Sequence, residues 1–366
     1  MFYYYLTFSL VLVFLSYSHF FNKNYRNGLI FSFGILFIFL GIRYNFGFDY
    51  KMYEQEFFII NFKHNKWSGG MERLEVGWVI LNKLFKYVGF KGLIIFHSLI
   101  YCFSIFLFFD TFYQSRINKT LALFFLLVSP GALILHICFL RQSLALSLVL
   151  ISLVLIYKDV KFYFSILLLL LAASFHLSAL LFIPIFLMKY LKGTKIVYIT
   201  FSLISIILIL MISILNLRNV LFNSVEFLFP KYFHYLTSSE NINNLKLNTG
   251  LGLVFLGINF VLLLSRIQFF FLGNKYKIVF ISGIMFFIIS TISFQYFFFS
   301  RLLIYFEFFY LLLIPLICDT IINKSIRYLY IIFQIIFYIY SCFIFFESDK
   351  NGHNYFSKFS TIFSNL

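Results

Sequence analysis

Charged side chains are scarce in this chain. Of its 366 residues, 11% are charged and 62% are hydrophobic, a composition that excludes an ordinary soluble domain. Apolar runs of about 20 residues, the length that crosses a bilayer as a helix, recur along the whole sequence. We therefore expect an all-α integral membrane protein in a lipid bilayer, with about 12 transmembrane helices that form a single domain over residues 1–366.

Metal-ligand spacings and a cleavable leader are also lacking. No His, Cys or acidic residue stands at ligand spacing from His176, so we expect no metal site and no cofactor. Residues 1–5 carry no basic group and no small-residue cleavage site follows, so the first apolar segment is expected to stay as a helix. The four cysteines lie in apolar segments without CxxC spacing and are expected to be reduced packing residues: Cys102, Cys138, Cys318 and Cys342.

Acidic residues are outnumbered by basic ones, 13 to 29, which gives a formal net charge of +16. The basic residues are scattered through loops and form no basic stripe, so we expect no nucleic-acid partner. Membrane topology explains them better, because 14 of the 29 fall within about fifty positions. These positions form six short loops, which are predicted to be cytoplasmic: 22–27, 111–119, 157–161, 189–195, 266–277 and 319–327.

The apolar pattern gives the predicted spans and, with the basic loops, their orientation. Both termini and two long loops, about 43–90 and 216–249, then face outside. Residues 75–87 have apolar positions at helical spacing with lysines between them, which predicts a helix lying in the outer interface. The spans are predicted at about 2–21, 28–42, 91–109, 119–139, 142–157, 161–175, 177–190, 196–215, 250–266, 277–294, 302–318 and 328–345.

Residues 43–53 carry the most informative chemistry. Arg43, Asp49 and three tyrosines, the last of them Tyr53, lie on a bend at Gly47 where a predicted helix leaves the membrane. An ionisable residue there costs a few kcal/mol and so indicates a role in function. This chemistry suits a phosphorylated or sugar-bearing ligand. A snorkelling arginine and an interfacial tyrosine explain the start of the segment, but they account less well for Asp49.

Two further arginines open predicted helices at their outer ends. Arg141 is followed by Gln142, and Arg301 begins the span near 302–318. An arginine at a helix N-terminus adds forked donors to the exposed N–H groups, and together these make a phosphate site. Snorkelling explains Arg141 equally well when it is taken alone. Taken with Arg43, however, the arginines converge on one membrane face, where such a cluster holds a pyrophosphate without a metal ion.

Short helices are predicted between residues 141 and 190, where four passes fit into about fifty residues. Short, interrupted helices usually line a water-filled cavity, here one that opens outward. His176 lies between two of them, at an outer end, in the stretch Ala172-Ala-Ser-Phe-His-Leu-Ser178. It is either a hydrogen-bonded packing residue or a base.

These motifs, in this order, resemble the EpsG-type branch of the Wzy polymerases, which polymerise O-antigen, capsule or exopolysaccharide repeat units. The resemblance covers nearly the full length, and it departs from the family at Val76, where the family often has proline. It is carried by residues 41–50 (Gly-Ile-Arg-Tyr-Asn-Phe-Gly-Phe-Asp-Tyr), Tyr53, residues 75–77 (Glu-Val-Gly), 140–145 (Leu-Arg-Gln-Ser-Leu-Ala), 172–179 (Ala-Ala-Ser-Phe-His-Leu-Ser-Ala), 300–301 (Ser-Arg) and 353–358 (His-Asn-Tyr-Phe-Ser-Lys).

The resemblance implies an inverting glycosyltransferase of GT-C-like architecture in the bacterial inner membrane. Its donor and acceptor are undecaprenyl-pyrophosphate-linked glycans, the reaction takes place on the outer face, and a chain-length regulator is a further partner. In our mechanism Arg43, Arg141 and Arg301 hold the donor pyrophosphate, with Tyr53 and Gln142 in the same substrate site. Asp49 or His176 accepts the proton of the attacking hydroxyl.

Two other classes fit part of the sequence. A transporter or flippase of lipid-linked oligosaccharides also uses intramembrane arginines and broken helices, but it should spread charge along a path to both faces. A membrane O-acyltransferase would use His176 as its base and would leave the arginine cluster unexplained.

Overall fold

The computed structural model describes residues 7–13, 25–62, 74–113, 115–158, 160, 162–188, 206, 251–265, 274–295, 300–351 and 360–361. Within these ranges nearly all elements are helices, so the all-α membrane class is confirmed. In the described part of the chain, four helices are long and apolar enough to cross a bilayer: Phe90–Phe112, Leu140–Tyr157, Leu302–Thr320 and Lys324–Glu347. The predicted span at 196–215, except residue 206, and the loop at 216–249 lie outside the described residues. The count of 12 spans stays a prediction.

The chain divides into two compact units, residues 1–182 with 328–366 and residues 183–327. The expectation of a single domain stays a prediction. The first unit contains α1 (Tyr25–Gly41), β1 (Arg43–Tyr44), α2 (Tyr50–Phe62), α3 (Val76–Leu84), α4 (Phe90–Phe112), α5 (Arg116–Val128), a π-helical turn (Pro130–Ile134), α6 (Leu135–Cys138), α7 (Leu140–Tyr157), α8 (Phe162–Phe175) and a 3₁₀ helix (Leu177–Phe182).

The second unit contains α9 (Ile183–Met188), α10 (Leu251–Ser265), α11 (Asn274–Gln295) and α12 (Ser300–Thr320). Here α11 packs along α12, and the rings of Phe286 and Tyr310 stack at a centroid distance of 4.3 Å. The last helix, α13 (Lys324–Asn351), begins at the end of this unit and continues into the first.

Helix directions in the first unit follow from contacts along the helices. The helices α4 and α7 run parallel, because His97 contacts Ser143 near their starts and Phe112 contacts Tyr157 near their ends. The chain then reverses, and Ser152 Oγ of α7 donates to the carbonyl of Ser165 in α8 at 2.6 Å. The end of α1, the starts of α4 and α7, and the end of α8 therefore lie at the same end of the unit.

The predicted span at 119–139 is interrupted. The helix α5 stops at Val128, and Pro130 begins the π-helical turn that leads into the short α6. Proline has no N–H and its ring clashes with the carbonyl four residues earlier, so a regular helix cannot continue through it. The predicted span at 119–139 is therefore helical over nearly all of its length, but it is not one regular α-helix. A second predicted span, 177–190, is also irregular, since it starts as a 3₁₀ helix.

The predicted interfacial helix is present as α3. It buries Gly77, Trp78, Leu81 and Asn82 against the protein. Its other side exposes three apolar side chains at helical spacing: Val76, Ile80 and Leu84. A helix with one buried face and one exposed apolar face suits the surface of a bilayer.

Candidate functional site

The site is at the end of the first unit where α1 finishes and α4 and α7 begin. The segment after α1, with α2 and α3, covers this end. It therefore brings together Arg43, Asp49, Tyr53, Arg141, Gln142 and His176, all of them predicted from the sequence. Arg301 is the second residue of α12, in the other unit. The structure describes the backbone of Arg301 as helical but not the position of its side chain.

Arg141 is at the centre of the site. It is the second residue of α7, and its Nη1 donates to Glu75 Oε2 at 2.9 Å. Its Nη2 lies 4.0 Å from Glu56 Oε1, and its guanidinium stands over the ring of Tyr53 at 5.7 Å. The side chain is 21% exposed. Arg141 is therefore held by two carboxylates and an aromatic face, and part of its donor fork is still open to a ligand.

Glu56 faces Arg141 from α2. Its Oε2 accepts a hydrogen bond from Trp78 Nε1 at 3.0 Å, which fixes the carboxylate and directs Oε1 toward Arg141. Burial raises the pKa of Glu56, an effect opposed by the charge of Arg141 and the bond from Trp78. A fixed carboxylate with a raised pKa takes up a proton more readily than an exposed glutamate does.

Asp49, the residue before α2, lies on the same side as Tyr53 and Glu56 of that helix. The spacing of these residues, four and then three, places them on a common helical face. Tyr53 is buried, and its hydroxyl takes part in a hydrogen bond with Arg141. Burial raises the pKa of Tyr53 above its ordinary range, so the phenol remains protonated at neutral pH. The negative charge of Asp49 acts on both Tyr53 and Glu56, which shows that it lies near them.

An aromatic core supports these polar groups. The Tyr53 and Trp78 rings meet edge to face at 5.4 Å, and burial of such rings is the main stabilising contribution here. Gly77 lets α3 approach α8, since a β-carbon at that position would lie 2.8 Å from the carbonyl oxygen of Ser174. The other buried members of this core are Tyr50, Phe57, Leu81, Phe90, Leu93, Ile94, Leu140 and Leu144.

Arg43 is fully buried beside the site. Its Nη1 donates to the carbonyl of Leu40 at 2.6 Å and to Ser98 Oγ at 3.2 Å, and its Nη2 donates to the carbonyl of Ile137 at 3.5 Å. Burial lowers the pKa of Arg43 to about 10, so it stays charged at neutral pH. In this conformation Arg43 fastens the end of α1 to α4 and to the interrupted helix.

The bend after Arg43 depends on Gly47. Its φ is 109°, a conformation that favours glycine. A β-carbon there would also lie 3.0 Å from the sulfur of Cys138. Thus the loop that carries Asp49 packs directly against the end of α6.

His176 lies just after α8. Its Nδ1 accepts a hydrogen bond from the Ser178 backbone N–H at 3.4 Å, and Ser178 Oγ is 2.8 Å away. With Nδ1 as an acceptor, the proton of a neutral ring is on Nε2. In this state His176 presents a donor to its surroundings. Phe175, its neighbour, packs against the aromatic core.

Gln142 and Ser143, the two residues after Arg141, are buried near the start of α7. Ser143 hydrogen-bonds to Nε2 of His97, and the imidazole of His97 lies parallel to the ring of Tyr101. Gln142 is buried, with 2% of its surface exposed. The hydrogen bond between Ser143 and His97 ties α7 to α4, two residues after Arg141.

Sequence reasoning missed Glu56 and Trp78, and it used Glu75 only as part of a family motif. The spacing of Asp49, Tyr53 and Glu56 was the available signal. Within the described part of the chain, no group of three or more His, Cys, Asp or Glu side chains is placed to hold a metal ion.

Comparison with known proteins places these residues in a family context. The model of the EpsG family matches residues 26–360, a range that contains every candidate site residue. No curated protein and no solved structure matches the chain.

Proposed function

Because the chain belongs to the EpsG family, a bacterial family of Wzy-type polysaccharide polymerases, we propose that it joins undecaprenyl-pyrophosphate-linked repeat units into O-antigen, capsule or exopolysaccharide. The reaction is an inverting glycosyl transfer at the outer face of the inner membrane. The donor is a growing lipid-linked chain, and the acceptor is a second lipid-linked unit.

The observation that carries this proposal is the position of Arg141 between Glu75 and Glu56. A polymerase of this kind needs a cation for the leaving pyrophosphate and a carboxylate for the attacking hydroxyl, close together. Arg141 supplies the first at the start of an 18-residue helix, whose N-terminal dipole also favours an anion. Acidic groups and aromatic rings beside it suit sugar hydroxyls and sugar faces.

The chemistry then follows from the charges. The acceptor hydroxyl attacks the anomeric carbon of the donor, and the bond from that carbon to the pyrophosphate oxygen breaks. The electron pair of that bond goes to the pyrophosphate, where Arg141 stabilises the developing charge. Lipid pyrophosphate is a good leaving group, so no general acid is required.

The other predicted residues have supporting roles in this proposal. Asp49 and His176 lie at the same end and are candidates for the proton acceptor. Arg43 holds the loop that carries Asp49, and Tyr53 holds the guanidinium of Arg141. Arg301, at the start of α12, is proposed as a second pyrophosphate ligand.

Reconstitution tests the proposal. Purified protein in proteoliposomes with synthetic lipid-linked repeat units should give a ladder of longer glycans, with no nucleotide sugar added. The ladder should persist in excess chelator, because arginines rather than a metal ion hold the pyrophosphate. Movement of the lipid-linked unit across the bilayer without extension would contradict the polymerase and favour a flippase. Activity that returns only on adding Mg²⁺ or Mn²⁺ would contradict the metal-free mechanism.

A further inference from the structure

Glu56 is placed differently from the other acidic groups of the site. One carboxylate oxygen is fixed by Trp78 at 3.0 Å, and the other faces Nη2 of Arg141 at 4.0 Å. The side chain is 18% exposed, so it is largely shielded yet still reachable. Its neighbour Glu54, two residues earlier, lies among lysines instead, with Lys91 and Lys51 acting on it.

We propose that Glu56 is the general base of the polymerisation, accepting the proton of the acceptor hydroxyl at Oε1. This inference rests on the proposed function and adds to it a residue that the sequence did not single out. His176 is less suited, because its Nδ1 is already engaged by Ser178, whose backbone N–H donates to it at 3.4 Å. Asp49 remains a neighbour whose charge acts on Glu56.

In this conformation, Glu56 Oε1 and Arg141 Nη2 lie 4.0 Å apart, too close for a sugar ring to fit between them. In inverting hydrolases the two carboxyl groups on either side of the reacting carbon stand roughly 6.5–9.5 Å apart. By the same steric requirement, the contact between Glu56 and Arg141 has to open when the anomeric centre binds between them. In our proposal the partly exposed Arg141 makes this movement while Glu75 keeps its contact with Nη1.

Glu56 and Arg141 together account for the proton and the electron pair that move in the reaction. The acceptor oxygen forms the new bond to the anomeric carbon and gives its proton to Glu56 Oε1. The pyrophosphate departs with the electron pair of the broken bond and becomes an anionic partner of Arg141. Glu56 is then neutral, so the departing pyrophosphate and Glu75 are the anionic partners of Arg141. Loss of the proton from Glu56 to solvent restores the starting state.

The microenvironment supports this role. The groups that act on Glu56 are Arg141 from α7, Trp78 and Glu75 from the α3 region, and Tyr53 and Asp49 from its own segment. Burial is the largest influence and raises the pKa of the Glu56 carboxyl. Activity should therefore fall on the acid side at a pH above the ordinary pKa of glutamate.

Glu56→Gln tests the inference, with Glu54→Gln as the matched control on the same helix. Gln keeps an acceptor for Trp78 but cannot take a proton. In proteoliposomes Glu56→Gln should lower the polymerisation rate by about 10²–10⁴-fold and abolish the acid limb of its pH profile. Binding of fluorescent lipid-pyrophosphate donor should stay within about twofold, and Glu54→Gln should match the wild type.

Glu56→Asp separates chemistry from folding. The shorter carboxylate should retain part of the rate and the acid limb. A Glu56→Gln enzyme that polymerises within about threefold of the wild type, or keeps the acid limb of the pH profile, would overturn the inference. The proposed polymerase function would still stand. Loss of donor binding together with rate would also overturn it. Failure of the wild type itself to polymerise would instead overturn the proposed function.

Discussion

Arg141 and Glu75 form an ion pair at 2.9 Å across 66 positions of sequence. The pair joins the start of the membrane helix α7 to the residue that precedes the surface helix α3. Both side chains are mostly buried, at 21% and 15% exposure, so the pair is screened less by solvent than a surface pair is. It fixes the orientation of the guanidinium toward the carboxylates and rings of the site.

Arg141→Lys should reduce polymerisation strongly. Lysine keeps the positive charge but loses the planar fork that contacts Glu75 and the pyrophosphate together. Removing one such stabilising donor lowers turnover by about 10²–10³-fold in well-studied enzymes. Gels of surface glycan should then show single-unit or uncapped material, while the protein level in the membrane is unchanged.

Arg116→Lys is the matched control for this variant. Arg116 also opens a helix, α5, but it is exposed and stands over the ring of Tyr25. It should give a normal ladder. A normal ladder from Arg141→Lys as well would remove Arg141 from the mechanism.

The difference in stability between Glu56→Gln and the wild type should change with pH in a defined direction. Burial raises the pKa of Glu56 in the folded protein. The stability that comes from the neutral carboxyl is therefore present at low pH and is lost as the pH rises through that raised pKa. Gln is neutral throughout, so the variant should equal the wild type at low pH and unfold at a higher temperature near pH 8.

Thermal unfolding in detergent across a pH series measures this effect. A Glu56→Gln protein that is less stable than the wild type at pH 8 would show that the ionised Glu56 stabilises the fold. Higher stability with lower activity is the pattern expected of a functional, partly buried ionisable group.

Gly77→Ala should disturb the contact between α3 and α8. A β-carbon at this position would be too close to Ser174, 2.8 Å from its carbonyl oxygen, so one of the two helices must shift. Overpacking of this kind costs about 1–3 kcal/mol. The unfolding temperature and the polymerisation rate should both fall, because Trp78 is the next residue and positions Glu56.

Gly34→Ala is the control for that variant. Gly34 is inside α1, and among the described residues no atom outside its own helix backbone and chain neighbours lies within 4 Å of where its β-carbon would be. Combining Gly77→Ala with Ser174→Ala should not restore stability, since the backbone oxygen of Ser174 remains in place. Full recovery in the double variant would show that only the hydroxyl was in conflict.

Much of the helical framework could be predicted from the sequence because apolar runs determine it directly. The predicted spans at 91–109 and 142–157 correspond to Phe90–Phe112 and Leu140–Tyr157. The apolar run from 119 to 139 predicts a span but not the break inside it, which comes at Pro130, the first residue of the π-helical turn.

The site could be predicted only in part. Arg141 and Tyr53 were identified by their chemistry, and they lie in contact. Their link to Glu56, Glu75 and Trp78 joins three separate segments, and such pairing depends on tertiary packing that no local spacing reveals. The sequence also identifies Arg43 by its charge, but it does not reveal that this side chain is buried and donates to the carbonyls of Leu40 and Ile137.

The orientation of the site can be tested with single cysteines. The short basic loops are predicted to face the cytoplasm, so α2 should face outside. All four native cysteines are buried and can be replaced to give a silent background. Gln55→Cys on α2 should react with an impermeant maleimide in intact cells, after permeabilisation of any outer membrane.

Ser325→Cys, in the predicted cytoplasmic loop at 319–327, is the paired control. Both positions are exposed, so accessibility of the thiol does not differ between them. Ser325→Cys should react only after lysis. The opposite pattern would place the site on the cytoplasmic side, where nucleotide sugars are available, and would favour a nucleotide-sugar-dependent transferase.

The most direct test of the account is the stoichiometry and stereochemistry of the purified reaction. Lipid-linked repeat units of known anomeric configuration would be supplied to the protein in proteoliposomes. Released polyprenyl pyrophosphate would be counted against the new linkages, whose configuration would be read by NMR. The account predicts one polyprenyl pyrophosphate per linkage and an inverted anomeric centre, with both products lost in Arg141→Lys. Retention of configuration, or polymer formed without release of polyprenyl pyrophosphate, would contradict it.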